Sequence, residues 1–191
     1  MSGTQTSSAT PPSSSRSIEL VRKTLAQQEH GAEIEVTTEG VPALPLPGLE
    51  LYKAWPLIPD AMATACFVKG DEVGCGGADA GLGRIVELYG LAASPEKLSD
   101  GEWIGLVLFT YSAHVVRTAG EAKQSLSKLP DDKAKLVSAP ALARSKGALE
   151  VTYYTQIIAN DVGPIGLAKC TVSIPASGAP SNRCDELFKS F

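Results

Sequence analysis

The stretch "ALEVTYYTQII", residues 148–158, alternates between two kinds of position. Leu149, Val151, Tyr153, Thr155 and Ile157 share one face, and Glu150, Thr152, Tyr154 and Gln156 share the other. A helix turns about 100° per residue and smears such a pattern around its axis, whereas a strand reverses its side chains at every residue. The segment therefore reads as a half-buried strand. "ANDVGP", residues 159–164, follows as a turn cluster in which Asn160-Asp161 supplies hairpin chemistry. Residues 165–174 read as the returning strand, with Ala168, Cys170, Val172 and Ile174 on one face. Upstream, "KLVSAPALA", residues 135–143, reads as an edge strand carrying Pro140, because proline cannot donate to a central ladder. Together these make a C-terminal antiparallel β-meander.

Working back toward the N-terminus, helical and extended signals alternate. Ser17 is placed to cap a helix over 18–29, where Ile18, Val21 and Leu25 form a stripe and Gly31 ends it. Residues 33–38 alternate as a short strand. Prolines at 42, 45, 47, 56 and 59 forbid a long helix and leave a wrapping segment with one strand near 50–55. Residues 65–68 and 72–74 flank Gly70-Asp71, a plausible two-residue hairpin turn. A helix over 82–91, capped by Asp79, ends at Ser94-Pro95. Ser99 with Glu102 forms a capping box for a helix over 100–112, striped by Ile104, Val107, Leu108 and Tyr111. The β-prone residues 107–111 also permit a buried strand. The expected fold is α+β: a mainly antiparallel sheet of about five or six strands packed against two or three helices. Residues 1–16 read as a disordered Ser/Thr/Pro-rich tail or tether and 17–191 as a single α+β domain.

Composition narrows the function classes. Of 191 residues, 43% are hydrophobic and 20% charged, so a core is available, and the low aromatic share of 6% leaves it to aliphatic side chains. The net charge of −4 argues against nonspecific nucleic-acid binding. The longest apolar run, 103–116, contains Thr110, Ser112 and His114 and falls short of a membrane helix. Charge is uneven: residues 16–104 carry 7 basic and 14 acidic groups, and residues 117–147 carry 7 basic and 3 acidic. The basic stretch holds Arg117, Lys123, Lys128, Lys133, Lys135, Arg144 and Lys146, with no aromatic to stack on a base. It reads as a solvated basic face or as a contact for an anionic partner or lipid headgroup.

Four cysteines allow three pairings. The Gly70-Asp71 turn chooses among them, since it sets Lys69 against Glu72, Val68 against Val73, Phe67 against Gly74 and Cys66 against Cys75. Opposed Cβ atoms on antiparallel strands lie close to the span of a disulfide. The remaining pair, Cys170 and Cys184, closes a second loop. Each bridge is worth roughly 3 kcal/mol by loop entropy, and such pairs point to an oxidising, extracytoplasmic compartment. Free buried thiols would instead indicate the cytoplasm. The first 15 residues hold neither a basic nor an apolar signal-peptide region, and their composition suits a tether on an exported domain or a frayed cytosolic end.

No cofactor or metal motif emerges. Eight and thirteen residues separate the cysteines of the two pairs, unlike the short spacing of zinc sites. Gly74 and Gly76 begin a dinucleotide-like run, but Asp79 stands where the third glycine is needed, and no Lys-Ser/Thr follows Gly81 as a P-loop requires. His30 suits a helix C-terminus. Trp55, Trp103, Tyr52 and Tyr111 read as core anchors before pocket liners. The leading expectation is a noncatalytic extracytoplasmic binding or interaction module whose partner is a protein or envelope component, without nucleic acid. The alternatives are a small hydrolase using His114 with a Ser or Cys nucleophile, and a structural subunit of an envelope assembly. Oligomeric state, ligand and partner identity are not encoded in any motif.

Overall fold

The central strands of each sheet carry buried apolar side chains on both faces, and helices cover those faces. The computed structural model describes residues 15–59, 61–76, 78–111, 114–145, 147–159 and 162–190. In the N-terminal half, helix α1 (Ser15–Gln28) precedes β1 (Ile34–Thr37), β2 (Leu49–Pro56), β3 (Thr64–Lys69) and β4 (Glu72–Cys75), which form an antiparallel sheet in sequence order. Two helices follow, α2 (Ala78–Tyr89) and α3 (Asp100–Thr110), separated by a 3₁₀ turn at Pro95–Lys97. The second sheet is built from β5 (Val115–Val116), β6 (Ala141–Ser145), β7 (Ala148–Ala159), β8 (Gly163–Pro175) and β9 (Ser181–Lys189). Short helices α4 (Ala119–Ser125) and α5 (Asp131–Ala134) lie between β5 and β6 in the chain.

The layers follow from side-chain parity. In β2 and β3, Leu51 and Phe67 face α2 and α3, while Tyr52, Ala54, Cys66 and Val68 face Val21 and Leu25 of α1. In β7 and β8, Val151, Tyr153, Cys170, Val172 and Ile174 face α2 and α3, while Tyr154 and Leu167 pack with Ala122, Leu126 and Ala134 from the α4–α5 segment. The order is therefore helix, sheet, helix pair, sheet, helix pair. The class is α+β with a C-terminal meander, as the alternation at 148–158 indicates, and its strands are shared between two sheets of four and five.

Helix α3 settles the ambiguity at residues 107–111. Ser99 Oγ accepts from the Glu102 backbone N–H, and the Glu102 carboxylate accepts from the Ser99 N–H at 2.7 Å, completing the capping box. Hydrogen bonds to this carboxylate, first from the Ser99 hydroxyl and then from the Ser99 N–H, hold the Glu102 carboxyl below its usual range. Trp103, Leu106, Val107, Phe109 and Thr110 are all buried, so the helix is apolar nearly all round, as one packed between two sheets must be. Trp103 Nε1 donates to the Pro95 carbonyl, and the Thr110 hydroxyl sits within hydrogen-bond distance of the Leu106 and Val107 carbonyls. Their polar groups are thereby satisfied inside the core.

Several boundaries differ from those read in the sequence. Helix α1 begins at Ser15, so Ser15 and Arg16 belong to the helix and Ser17 lies within it. Ser17 is buried, and its hydroxyl donates to Glu50 Oε1 at 2.9 Å instead of capping. Helix α2 begins at Ala78, which puts Asp79 inside its first turn. Residues 1–14 and the Asn160-Asp161 turn lie outside the described residues. The predicted edge strand starts after Pro140, as β6. Strands β5 and β6 both pair with β7, β6 along Ala148–Thr152 and β5 at Tyr154 and Thr155. Strand β9 carries no alternating signal and is exposed over most of its length.

Both disulfides join directly opposed residues. Cys66 and Cys75 are bonded with Cα atoms 4.2 Å apart, in the register set by the Gly70-Asp71 turn. Gly70 takes the positive φ of 63° that such a turn needs. Cys170 and Cys184 are bonded across β8 and β9, with Cα atoms 4.0 Å apart. The second bridge ties a core strand to an exposed one. Replacing Cys170 and Cys184 together by Ala should lower unfolding stability by about 3 kcal/mol, measured by urea denaturation. It should also raise hydrogen exchange in β9 more than in β7.

A second expectation concerns alkali. Tyr52 is buried and donates to Glu50 Oε2 at 2.5 Å. Burial first, then this carboxylate, push its phenol up to about 12, with Ser17 opposing. Burial also pushes Tyr153 up to about 12, with Asn182 opposing. An unfolded tyrosine ionises near pH 10. The stability carried by both groups is thus complete below pH 10 and is lost as pH rises from about 10 to 12. Tyr89 is raised by burial as well; absorbance titration should therefore show late-ionising phenols, and one of those near 12 should disappear in Tyr52→Phe.

Candidate functional site

A groove of about 870 Å³ opens among the described residues. Five segments build it. The turn after β1 contributes Gly40, Val41 and Pro42, and β2 contributes Lys53. The β2–β3 loop contributes Ala61, Met62 and Ala63. One face of α3 contributes Gly105, Leu108 and Phe109, whose i, i+3, i+4 spacing aligns them. The segment after α3 contributes His114, Val115 and Arg117.

Local contacts position each basic side chain. Lys53 is on the face of β2 that looks toward α3, because Tyr52 and Ala54 beside it face α1. Gly40 has φ +65°, and a Cβ there would stand 2.9 Å from Lys53 Nζ, so glycine leaves room for the ammonium. The His114 carbonyl accepts from the Gln156 N–H and the Thr155 hydroxyl, each at 3.1 Å, which fixes this residue to β7 while its side chain stays exposed. The Arg117 N–H donates to Glu121 Oε2 at 2.7 Å, and Glu121 N–H donates to the Thr118 hydroxyl that caps α4. Gly105 admits the Pro42 ring, since a Cβ there would come 3.3 Å from Pro42 Cβ.

The electrostatics are one-sided. Lys53, His114 and Arg117 line the groove, and no carboxylate is among its described lining residues. None of the three side chains takes part in an ion pair or side-chain hydrogen bond among the described residues. Val41, Pro42, Met62, Leu108 and Phe109 supply an apolar floor and rim. A second hollow of about 260 Å³ is smaller, and the cation among its described lining residues, Arg144, is paired with Asp100 at 2.7 Å.

The residues singled out from sequence are dispersed. Of the five basic candidates, Arg117 lines the groove. Lys123 is paired with Asp131, Lys128 and Lys135 are exposed, and Lys133 is half-buried. All four cysteines are in disulfides, so His114 faces no thiol. No Ser or Thr is among the described lining residues, and Ser112 lies outside the described residues. Trp103 and Tyr52 are core residues, and Trp55 and Tyr111 are half-buried. No group of three His, Cys, Asp or Glu side chains among the described residues is placed to hold a metal ion, and no described helix is long and apolar enough to cross a membrane.

Sequence reasoning missed Lys53, Gly40 and Met62. The one available signal was Lys53 itself, a charge on the core-facing parity of β2. No protein family, curated protein or solved structure matches this chain.

Gly40→Ala should cost about 1 kcal/mol, because a left-handed backbone disfavours any Cβ, and it should displace the Lys53 ammonium. Urea denaturation reads the first effect. The second appears as a changed chemical shift at the Lys53 Cε methylene.

Proposed function

We propose that this chain is a noncatalytic binding or interaction module of an extracytoplasmic compartment, at a cell envelope or secreted, and that the Lys53–His114–Arg117 groove is its binding site. The observation that carries the compartment is the pair of disulfides, each joining opposed strand residues. Reducing compartments keep thiols free, so a fold stapled at two strand pairs suits an oxidising one. The observation that supports binding is the groove, a concave and partly apolar site with convergent polar groups. Residues 17–191 act as one domain in this reading, and the Ser/Thr/Pro-rich residues before α1 act as its tether. The partner is an envelope component or a protein, and the net charge of −4 gives nucleic acid no support.

The hydrolase reading has less support, because the groove brings His114 to no described nucleophile. The structural-subunit reading draws on one observation. Leu57, Ile58 and Met62 are each at least half exposed on the β2–β3 loop, and such apolar clusters favour self-association. Sedimentation across a range of concentrations separates these: a module stays at one mass, and a subunit grows.

Protein isolated from its native source, alkylated without reduction and digested, should yield Cys66–Cys75 and Cys170–Cys184 peptides and no alkylated cysteine. Four alkylated cysteines would overturn the extracytoplasmic reading.

A further inference from the structure

The lining of the groove combines two chemistries. Lys53, His114 and Arg117 supply an ammonium, an imidazole and a guanidinium without a neutralising carboxylate in the described lining. Val41, Pro42, Met62, Leu108 and Phe109 supply hydrocarbon, a thioether and a ring. An inorganic anion would use the first set and leave the second wet. A neutral hydrocarbon would cover the second and leave the cations without counter-charge. A ligand that satisfies both has an anionic head and an apolar body.

We propose that the groove binds a small anionic amphiphile, a single aliphatic chain ending in a carboxylate or phosphate. This deepens the binding-module reading and rests on it. Lys53 is half-buried and has given up part of its water, so an anion beside it is attracted more strongly than at an open surface. Arg117 offers a planar fork of donors that fits carboxylate and phosphate oxygens. His114 offers a ring N–H in either protonation state. The chain of the ligand lies along Leu108 and Phe109 on α3, with Met62 as its adaptable cover. Met62 is 55% exposed, and its unbranched thioether repacks readily around an apolar body. The groove volume of about 870 Å³ is within the range of small-molecule sites, which favours one captured molecule over a flat bilayer surface.

Isothermal titration of the full chain with monomeric dodecanoate tests this, beside dodecyl phosphate, dodecyltrimethylammonium and vesicles of phosphatidylglycerol. Saturable 1:1 binding of both anionic probes is expected, with little binding of the cationic probe of equal chain length. Lys53→Gln and Arg117→Gln should each weaken dodecanoate binding about tenfold, as the loss of one charge-assisted contact implies. Lys128→Gln, on an exposed lysine outside the groove, should leave it unchanged. Circular dichroism confirms that each variant is folded. Met62→Asp should also weaken binding, and it depends on neither cation. Equal binding of the cationic probe would overturn the proposal, as would affinity indifferent to all three groove variants. Binding to vesicles without binding to monomers would replace the amphiphile pocket with a membrane contact. If the disulfides are intact in native protein and neither anionic probe binds, this inference falls and the module reading stands. If the cysteines are free and the probes bind, the compartment falls and the pocket stands.

Discussion

Helix α3 is held between two sheets, and the rest of the molecule is arranged around that contact. Trp103, Leu106 and Val107 have no exposed surface, and they touch side chains from both directions. Removing such side chains from water contributes roughly 2 kcal/mol each. The capping box at Ser99 and Glu102 and the back-bonded Thr110 hydroxyl let a polar backbone enter that space with its groups satisfied. One face of the helix is less completely covered. There Gly105, Leu108 and Phe109 become the floor of the groove, so the element that joins the sheets also shapes the site.

Around this centre, the outer layers rely on specific links. Lys69 Nζ donates to the Leu88 carbonyl at the end of α2 and sits 4.0 Å from the centre of the Tyr89 ring, so a charge on β3 neutralises a helix C-terminus. Glu50 receives hydrogen bonds from Ser17 and Tyr52, joining α1 to its sheet by a polar trio in an otherwise apolar contact. Strand β9 is mostly exposed and gains little from burial. The Cys170–Cys184 bridge and the backbone ladder to β8 hold it in place. The charges of Arg183, Asp185 and Glu186 suit an outer strand, because they discourage further strand addition.

Legibility followed the range of the interactions involved. The β7–β8 pair was readable because its alternation is local and long. The β3–β4 hairpin was readable because a two-residue turn dictates every opposed pair down to Cys66 and Cys75. Residues 107–111 stayed ambiguous for a physical reason: burial on two sides removes the amphipathic stripe that distinguishes a helix, and only the capping box favoured one. Strand β9 was invisible because pairing to β8, and not its own composition, makes it a strand. Ser17 looked like a cap, yet it serves Glu50, 33 residues away.

The sequence by itself determined the α+β class, the antiparallel meander, the hairpin register and a pairing of cysteines consistent with it, because each depends on neighbours a few residues apart or on strict alternation. The groove could not be read in this way. Its basic side chains come from positions 53, 114 and 117, brought together by a strand, a helix and the sheet beyond them. Arg117 belonged to a basic stretch whose other described members scatter or pair, and Lys53 came from an acidic half of the chain. Only the packing of α3 between two sheets decides which charges share a wall, because that distance is set by core side chains and not by sequence spacing.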